Sequence, residues 1–409
     1  MSLNNTPAAE RIHIGIFGKR NTGKSSVINA ITGQSIAIVS DVKGTTTDPV
    51  IKAMELLPLG PVVIIDTPGL DDIGVLGELR IKKAYQMLNK TDIAVLVIDI
   101  SIGITEEDKK ILNRIKEKQI PYIVVWNKTD LLSSPSSRRD SFLLAEKELM
   151  IPAERQILIS TKTGEHIFEL KELIAKQIPH TKNERPLVRD LLNPGDFVVL
   201  VVPIDSSAPK GRLILPQQQT IRDILDSGST AIVVKDTELK ETIQKLGHFT
   251  KLVITDSQVF QQVAEIIPPE IPLTSFSILF ARYKGNLNTV TTGAKALDTL
   301  NDGDTVLISE GCTHHRQCND IGTVKLPRLI QKHTGKKIRF EFTSGTEFPE
   351  DLSSYRMIIH CGGCMLSERE MKYRLKCAED QQIPITNYGT AIAHMNTILI
   401  RSLEPFESK

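Results

Sequence analysis

The chain has 409 residues, a formal net charge of +1, 40% hydrophobic residues and 24% charged residues. At roughly 150 residues per domain, two or three domains are expected. The balance excludes a chain dominated by disorder, which needs low hydrophobicity and high net charge, and a whole-surface nucleic-acid binder, which needs a clear basic excess. No apolar run approaches the ~18–20 residues of a membrane helix. The start, MSLNNTPAAER, lacks the apolar stretch of a secretory signal. These features predict a soluble, cytoplasmic protein with no membrane partner.

Taken in chain order, strand candidates Ile12–Phe17, Val62–Asp66, Ala94–Asp99, Tyr122–Trp126 and Gln156–Ile159 alternate with helical stretches such as Leu79–Asn89 and Glu106–Glu117. Continuous Val/Ile runs between helices predict a parallel sheet buried on both faces. His180–Pro186 is polar, ends in proline and reads as a linker. A second βα series follows, with strand candidates Phe197–Val202, Ala231–Val234 and Leu252–Thr255 and helix candidates Gln217–Leu225, Glu238–Leu246 and Ser257–Ile267. Phe276–Phe280 is read as one more apolar strand. The third series has strand candidates Thr305–Ser309, Ile338–Phe342 and Arg356–His360 and helix candidates Leu326–Lys332 and Ser367–Glu379.

The first strand runs into Gly18-Lys19-Arg20-Asn21-Thr22-Gly23-Lys24-Ser25, which matches G-x-x-x-x-G-K-[ST] in strand–loop–helix context. Such a loop curls backbone N–H groups around a phosphate chain, and the helix N-terminus adds its positive end. Thr22, Gly23 and Ser26 belong to this cradle. Lys24 would reach the β and γ phosphates and Ser25 would ligate Mg²⁺. Asp66-Thr67-Pro68-Gly69 ends a strand. Asp66 can hold the Mg²⁺ shell there, and the N–H of Gly69 can sense the γ-phosphate. Asn127-Lys128-Thr129-Asp130 follows the Tyr122–Trp126 strand. Its carboxylate can accept two N–H bonds from a guanine edge, so GTP and GDP are the expected nucleotides. Ser160-Thr161-Lys162 would back the base with a main-chain N–H, and Gly44–Asp48 lies where a switch loop belongs. Ligand sites of open parallel sheets lie at the C-terminal ends of the strands.

The fold class expected is therefore α/β in three domains: a P-loop GTP-binding domain with a doubly wound, mostly parallel sheet over 1–180, a middle βα domain over 181–280 and a C-terminal βα domain over 281–409.

All five cysteines lie at or beyond Cys312. An odd number in a long cytosolic chain does not suggest a disulfide framework. The pattern is Cys312-Thr313-His314, then residues 315–359, then His360-Cys361-Gly362-Gly363-Cys364. The C-x-x-C pair presents two thiolates on one tight loop, with glycines that permit the bend. Parallel strands before Cys312 and Cys361 would gather three sulfurs at one sheet edge. Three readings stay open on spacing: a Cys₃His zinc site, an iron–sulfur cluster with a weak fourth ligand, and buried thiols without metal. His314, His315 and His360 are candidate fourth ligands. Cys318 is a reserve ligand, and Cys377, inside a helix, is expected to pack.

The N-terminal motifs resemble the translation-factor-related GTPases and, within them, the Era/TrmE-like branch. Asn21 matches the P-loop asparagine that coordinates K⁺ in that branch, and residues 38–46 are similar to its potassium-holding switch loop. The resemblance implies that Thr46 is the Mg²⁺-binding switch threonine. It also implies that Leu70 stands where Ras-like proteins keep a glutamine, and that K⁺ assists hydrolysis together with Lys24, Thr46 and Gly69. One departure is Ser160-Thr161-Lys162 where Ser-Ala-Lys is commoner. With the middle segment Leu215–Asp223 and the C-x-H…H-C-x-x-C pattern, nearly the whole chain resembles HydF, the GTPase maturation factors of iron-iron hydrogenases. That resemblance implies a 4Fe-4S cluster on Cys312, Cys361 and Cys364, with His314 or His360 as candidate fourth ligand. It further implies a scaffold or carrier for the di-iron precursor, two radical-SAM maturases and apo-hydrogenase as partners, a homodimer or higher oligomer, and a GTP switch. The rivals are a ribosome- or RNA-assembly GTPase with a zinc domain and a GTP-regulated structural protein with an inert thiol-rich tail. The small net charge and 5% aromatic content stand against RNA.

Overall fold

In the computed structural model the described residues are 8–34, 50–69, 75–132, 150–178, 186–204, 213–311, 321–345 and 347–407. The chain divides into two units, Met1–Lys182 and Asn183–Lys409. The switch residues Thr45 and Thr46, linker residues 180–185, Leu70 and the Cys312–Cys318 stretch with His314 and His315 lie outside the described residues.

In the first unit β1 (Ile12–Phe17), β3 (Gly60–Asp66), β4 (Ile93–Asp99), β5 (Tyr122–Asn127) and β6 (Gln156–Leu158) run parallel, and β2 (Val50–Leu56) is an antiparallel edge. The order is β2-β3-β1-β4-β5-β6. Successive residues of a strand face opposite sides, and the core obeys this. Val63, Ile65, Leu96, Ile98, Val124 and Trp126 pack on one face with the helix Glu106–Glu117. Val62, Ile64, Val95, Val97, Ile123 and Val125 pack on the other with α1 (Lys24–Thr32) and the helix Ile167–Lys176. The helix Glu106–Glu117 starts at a capping box: the Thr105 N–H donates to the Asp108 carboxylate at 3.0 Å. The chain order reverses around β1, whose neighbours are β3 and β4, so a crevice opens where the P-loop leaves β1.

The second unit holds two four-stranded sheets, both wholly parallel. The first takes β7 (Phe197–Val201), β8 (Thr230–Val234), β9 (Thr250–Thr255) and β10 (Leu273–Ser275) in the order β10-β9-β7-β8. The second takes β11 (Thr305–Ser309), β12 (Arg339–Thr343), β13 (Met357–His360) and β14 (Ile385–Asn387) in the order β12-β11-β13-β14. One apolar cluster joins Val199, Val201 and Val253 of the first sheet to Ala294, Ala393 and Leu399 from the C-terminal part. Arg401 fastens the last helix there, donating to the Ala264 and Ile267 carbonyls at 3.0 and 2.9 Å.

One sequence expectation is corrected. Phe276–Phe280 is not a strand but the start of the helix Phe276–Lys284, and the strand is the short Leu273–Ser275 before it. Ser275 caps the helix by accepting the Ile278 N–H. Phe276, Ile278, Leu279, Phe280 and Ala281 are all buried, so the helix shows no polar face to betray its period. No helix among the described residues is long and apolar enough to cross a membrane.

Candidate functional site

The motifs of the first unit converge at the C-terminal ends of β1, β3 and β5. Gly18 and Gly23 have φ of +143° and +92°. A Cβ on Gly18 would lie 2.3 Å from the Val97 carbonyl, and one on Gly23 2.3 Å from Asn127 Nδ2, so only glycine fits either place. Asn21 and Lys128 also adopt left-handed backbone, at +60° and +68°. The Lys24 ammonium is buried and donates to the carbonyls of Gly18 and Lys19 inside the loop. Ser25 Oγ donates to Asp66 Oδ2 at 3.3 Å. Burial pushes the Asp66 carboxyl above its usual range, and Lys24 and Ser25 only partly counter this. Ser25 and Asp66 form a hard-oxygen pair suited to Mg²⁺, and Gly69 follows on the same strand end.

Asn127 ties three motifs together. Its Nδ2 donates to the Thr22 carbonyl at 2.9 Å, and its Oδ1 accepts the Thr161 N–H at 3.2 Å. Ser160 Oγ donates to Asp130 Oδ1 at 2.7 Å, and Lys162 stands 3.9 Å from the same carboxylate. Asp130 is thereby oriented before any base arrives. Sequence reading missed Asp99, which pairs with Lys128 at 2.6 Å. Burial works against the Asp99 carboxylate, but the hydrogen bonds from Lys128 and Ser101 together hold its pKa below the usual value. Ser26, half-buried on the first turn of α1, completes the loop.

In the second unit β11 and β13 are neighbours, with Ser309 opposite His360. Their ends deliver Gly311 and Cys361 to one place. The Gly311 and Gly363 N–H groups donate to Cys361 Sγ at 3.0 and 3.4 Å. Burial nevertheless pushes the Cys361 thiol up to about 11 and raises that of Cys364, where Lys284 opposes the shift. Both thiols are free. Gly363 turns the loop at φ +64°. Cys377 lies in the helix Glu368–Asp380 and packs against an apolar cluster, as expected of a cysteine inside a helix.

Two cations that the sequence did not mark out hold this loop. Lys284 is buried, and its ammonium donates to the Cys364 and Leu366 carbonyls, both at 2.9 Å, and to that of Gly363 at 3.4 Å. Arg374, fully buried, pairs with Glu370 at 2.9 Å and donates to Ser309 Oγ, the Gly345 carbonyl and His360 Nε2. A guanidinium can only donate. His360 Nε2 therefore accepts, and its Nδ1 donates to the Cys361 carbonyl at 2.7 Å. Burial, reinforced by Arg374, lowers the His360 pKa to about 3. Both ring nitrogens are engaged, so His360 braces the loop and does not offer a lone pair to the sulfur site.

Comparisons fit these two halves differently. Residues 13–128 match the family model of the 50S ribosome-binding GTPases. Residues 187–285 match the dimerization domain of hydrogen maturase F, and residues 288–405 its tetramerization domain. The chain belongs to the hydrogen maturase F family. Its N-terminal unit is a GTPase domain, and its two remaining matches are to dimerization and tetramerization domains. The chain is 32% identical over 185 residues to the GTPase Der of Clostridium botulinum, covering 43% of this chain and 41% of that protein. It is 36% identical over 177 residues to the GTPase Der of Wolinella succinogenes, covering 41% and 36%. The chain spans about two fifths of the length of these relatives. A crystal structure of Aquifex aeolicus Era bound to GDP and AlF4⁻ aligns at 22% identity and a TM-score of 0.38, over 58% of this chain and 98% of that one.

Proposed function

We propose that the protein is a GTP-hydrolysing scaffold or carrier that holds a 4Fe-4S cluster and assembles or delivers the di-iron precursor of the iron-iron hydrogenase active site. The observation that carries the cluster reading is the pair of N–H groups, from Gly311 and Gly363, directed at Cys361 Sγ. Amide donors around a thiolate are what a cluster ligand needs, since they stabilise sulfur charge in a half-buried setting. Cys361 and Cys364 share one loop, and the chain passes from Gly311 directly into Cys312. Three thiolates fit the cluster and leave one iron with an exchangeable position. Lys284 and Arg374 fix the loop, and His360 keeps it braced through Arg374.

In the GTPase unit, Asn21, Thr22, Gly23, Lys24, Ser25 and Ser26 would cradle the phosphates. Ser25, Asp66 and Thr46 would hold Mg²⁺, and Asn21 would hold K⁺. Asn127, Lys128, Asp130, Ser160, Thr161 and Lys162 would select guanine. Lys24, Thr46 and Gly69 would follow the γ-phosphate, whose loss relaxes the switch loops. The maturase domains support self-association. Apo-hydrogenase and two radical-SAM maturases are the proposed partners in an anaerobic cytoplasm, and 1–180, 181–280 and 281–409 the proposed functional divisions.

The test is anaerobic reconstitution with iron and sulfide, followed by iron analysis and EPR of the reduced form. About four irons per chain and a reduced-cluster signal are expected. A colourless chain with one zinc would sink the scaffold reading. Cys361→Ser should abolish the signal and leave GTP hydrolysis intact, and K⁺ should accelerate that hydrolysis over Na⁺.

A further inference from the structure

A second group of metal-ligating side chains lies in the C-terminal part and plays no role in the sites above. It comprises Asp298 on the short turn Lys295–Thr299, His333 at the end of the helix Leu326–Thr334, and His394 at the end of the helix Tyr388–Met395. His333 Nε2 lies 2.8 Å from Asp298 Oδ1, and His394 Nε2 lies 2.9 Å from Asp298 Oδ2. One ligand atom from each residue falls within 4.8 Å of the other two. The two imidazoles meet edge to face, with centroids 6.0 Å apart.

We propose that Asp298, His333 and His394 form a site for a first-row divalent cation, with Zn²⁺ the ion it suits best. Three arguments carry this. Ligand atoms around a metal at about 2.0–2.2 Å sit roughly 3–3.5 Å apart. The two nitrogen–oxygen separations are already near that span, so insertion needs the nitrogens to move by about an ångström and no rebuilding. Both histidines occupy the last turns of their helices. The negative ends of two helix dipoles therefore converge on one spot, which favours a cation. The histidine side chains are only 26% and 19% exposed, so their rings are held in place, whereas Asp298 is 52% exposed and leaves water access for further coordination positions. Two imidazoles and one carboxylate suit Zn²⁺ and Fe²⁺, and Zn²⁺ stands above Fe²⁺ in intrinsic affinity. The bound ion would tie three segments distant in sequence, one of them the helix the chain enters after the Cys312 segment.

The test is zinc binding by the full-length chain, by calorimetry and metal analysis under reducing conditions. Cys361→Ser/Cys364→Ser serves as background, so that zinc held by the C-x-x-C pair is counted separately. One equivalent should survive in that background. His333→Ala and His394→Ala should each weaken it at least about 100-fold. His333→Gln keeps an N–H for Asp298 but is a poor zinc ligand, so it should lose zinc with its zinc-free Tm unchanged. Zinc should raise the Tm of the histidine-intact chain only. Equal binding with and without the histidines, or no zinc left in the Cys361→Ser/Cys364→Ser background, would overturn the proposal.

Discussion

Lys284→Met separates the lysine's charge from its packing. Methionine keeps the apolar stem inside the helix Phe276–Lys284 and removes the ammonium that the Cys364 and Leu366 carbonyls accept from at 2.9 Å. The Gly363 carbonyl retains the Leu366 N–H at 3.1 Å, so it suffers less. Each buried carbonyl stripped of its donor costs about 1–3 kcal/mol, and relief of the buried ammonium offsets part of the total. A local loss of about 2–4 kcal/mol is expected. At about 1.4 kcal/mol per decade, amide hydrogen exchange in residues 361–371 should speed up by roughly 30-fold to 10³-fold. Iron retained after reconstitution should fall with it, because the loop presenting Cys364 loosens. GTP hydrolysis, housed in the other unit, should not change. Exchange altered less than about threefold would show that the three carbonyls do not depend on Lys284.

Four other outcomes are expected. Asn127→Ala removes both bonds joining the P-loop to Thr161 and should weaken fluorescent-GDP binding by about 30- to 100-fold; a change under threefold would make the bridge idle. In the proposed site Mg²⁺ would need the Asp66 carboxylate, and burial raises that group above 3.8. The charged form is therefore disfavoured in the fold: Asp66 opposes stability above its unfolded pKa, and acidification through the raised value removes the cost while expelling Mg²⁺. A Mg²⁺ titration series should place that loss above pH 3.8, and a midpoint at or below it would contradict the burial argument. Gly363→Ala puts a Cβ at φ +64° and 2.6 Å from Met371 Sδ; the thioether can yield, so the cost is about 1–2 kcal/mol, read as a lower Tm. Arg374→Leu strands a buried Glu370 and should cost about 3–5 kcal/mol in urea unfolding, with Arg374→Leu/Glu370→Leu recovering much of it.

The GTPase half was legible for a physical reason. Strands covered on both faces read as unbroken Val/Ile runs, and phosphate and base chemistry falls on residues at their ends, as with Lys24, Asp66 and Asn127. Helix Glu106–Glu117 has the bounds expected from sequence, and the structure shows it capped at Thr105, with an acidic first turn and a basic last turn. Elements with weaker signals were missed. Leu273–Ser275 and Ile385–Asn387 are too short to show a period, and Val50–Leu56 is a largely exposed edge. Lys284 and Arg374 look like solvated helix residues in sequence. The partners of Lys284 are backbone carbonyls, which leave no mark on residue identity, and Arg374 reaches Ser309, Gly345 and His360, all distant from it in sequence.

His360 shows most clearly where adjacency in sequence misleads. It stands beside Cys361, which made it a candidate ligand, but neighbours on a strand face opposite ways. The odd positions Met357, Ile359 and Cys361 join the apolar cluster of Val306 and Ile308. The even position Ile358 joins the opposite cluster, with Leu307, Leu375 and Ala378 from the helix that carries Arg374. His360 continues the even series and meets Arg374 on that side. The alternation that sends the Cys361 sulfur to the Gly311 and Gly363 amides therefore sends the imidazole away from them. A fourth ligand on that strand would need a bulge, and the register from Val306↔Met357 to Ser309↔His360 runs without one. The strand thus supplies Cys361 to the proposed cluster, and the other side chains on that face, Met357 and Ile359, are apolar.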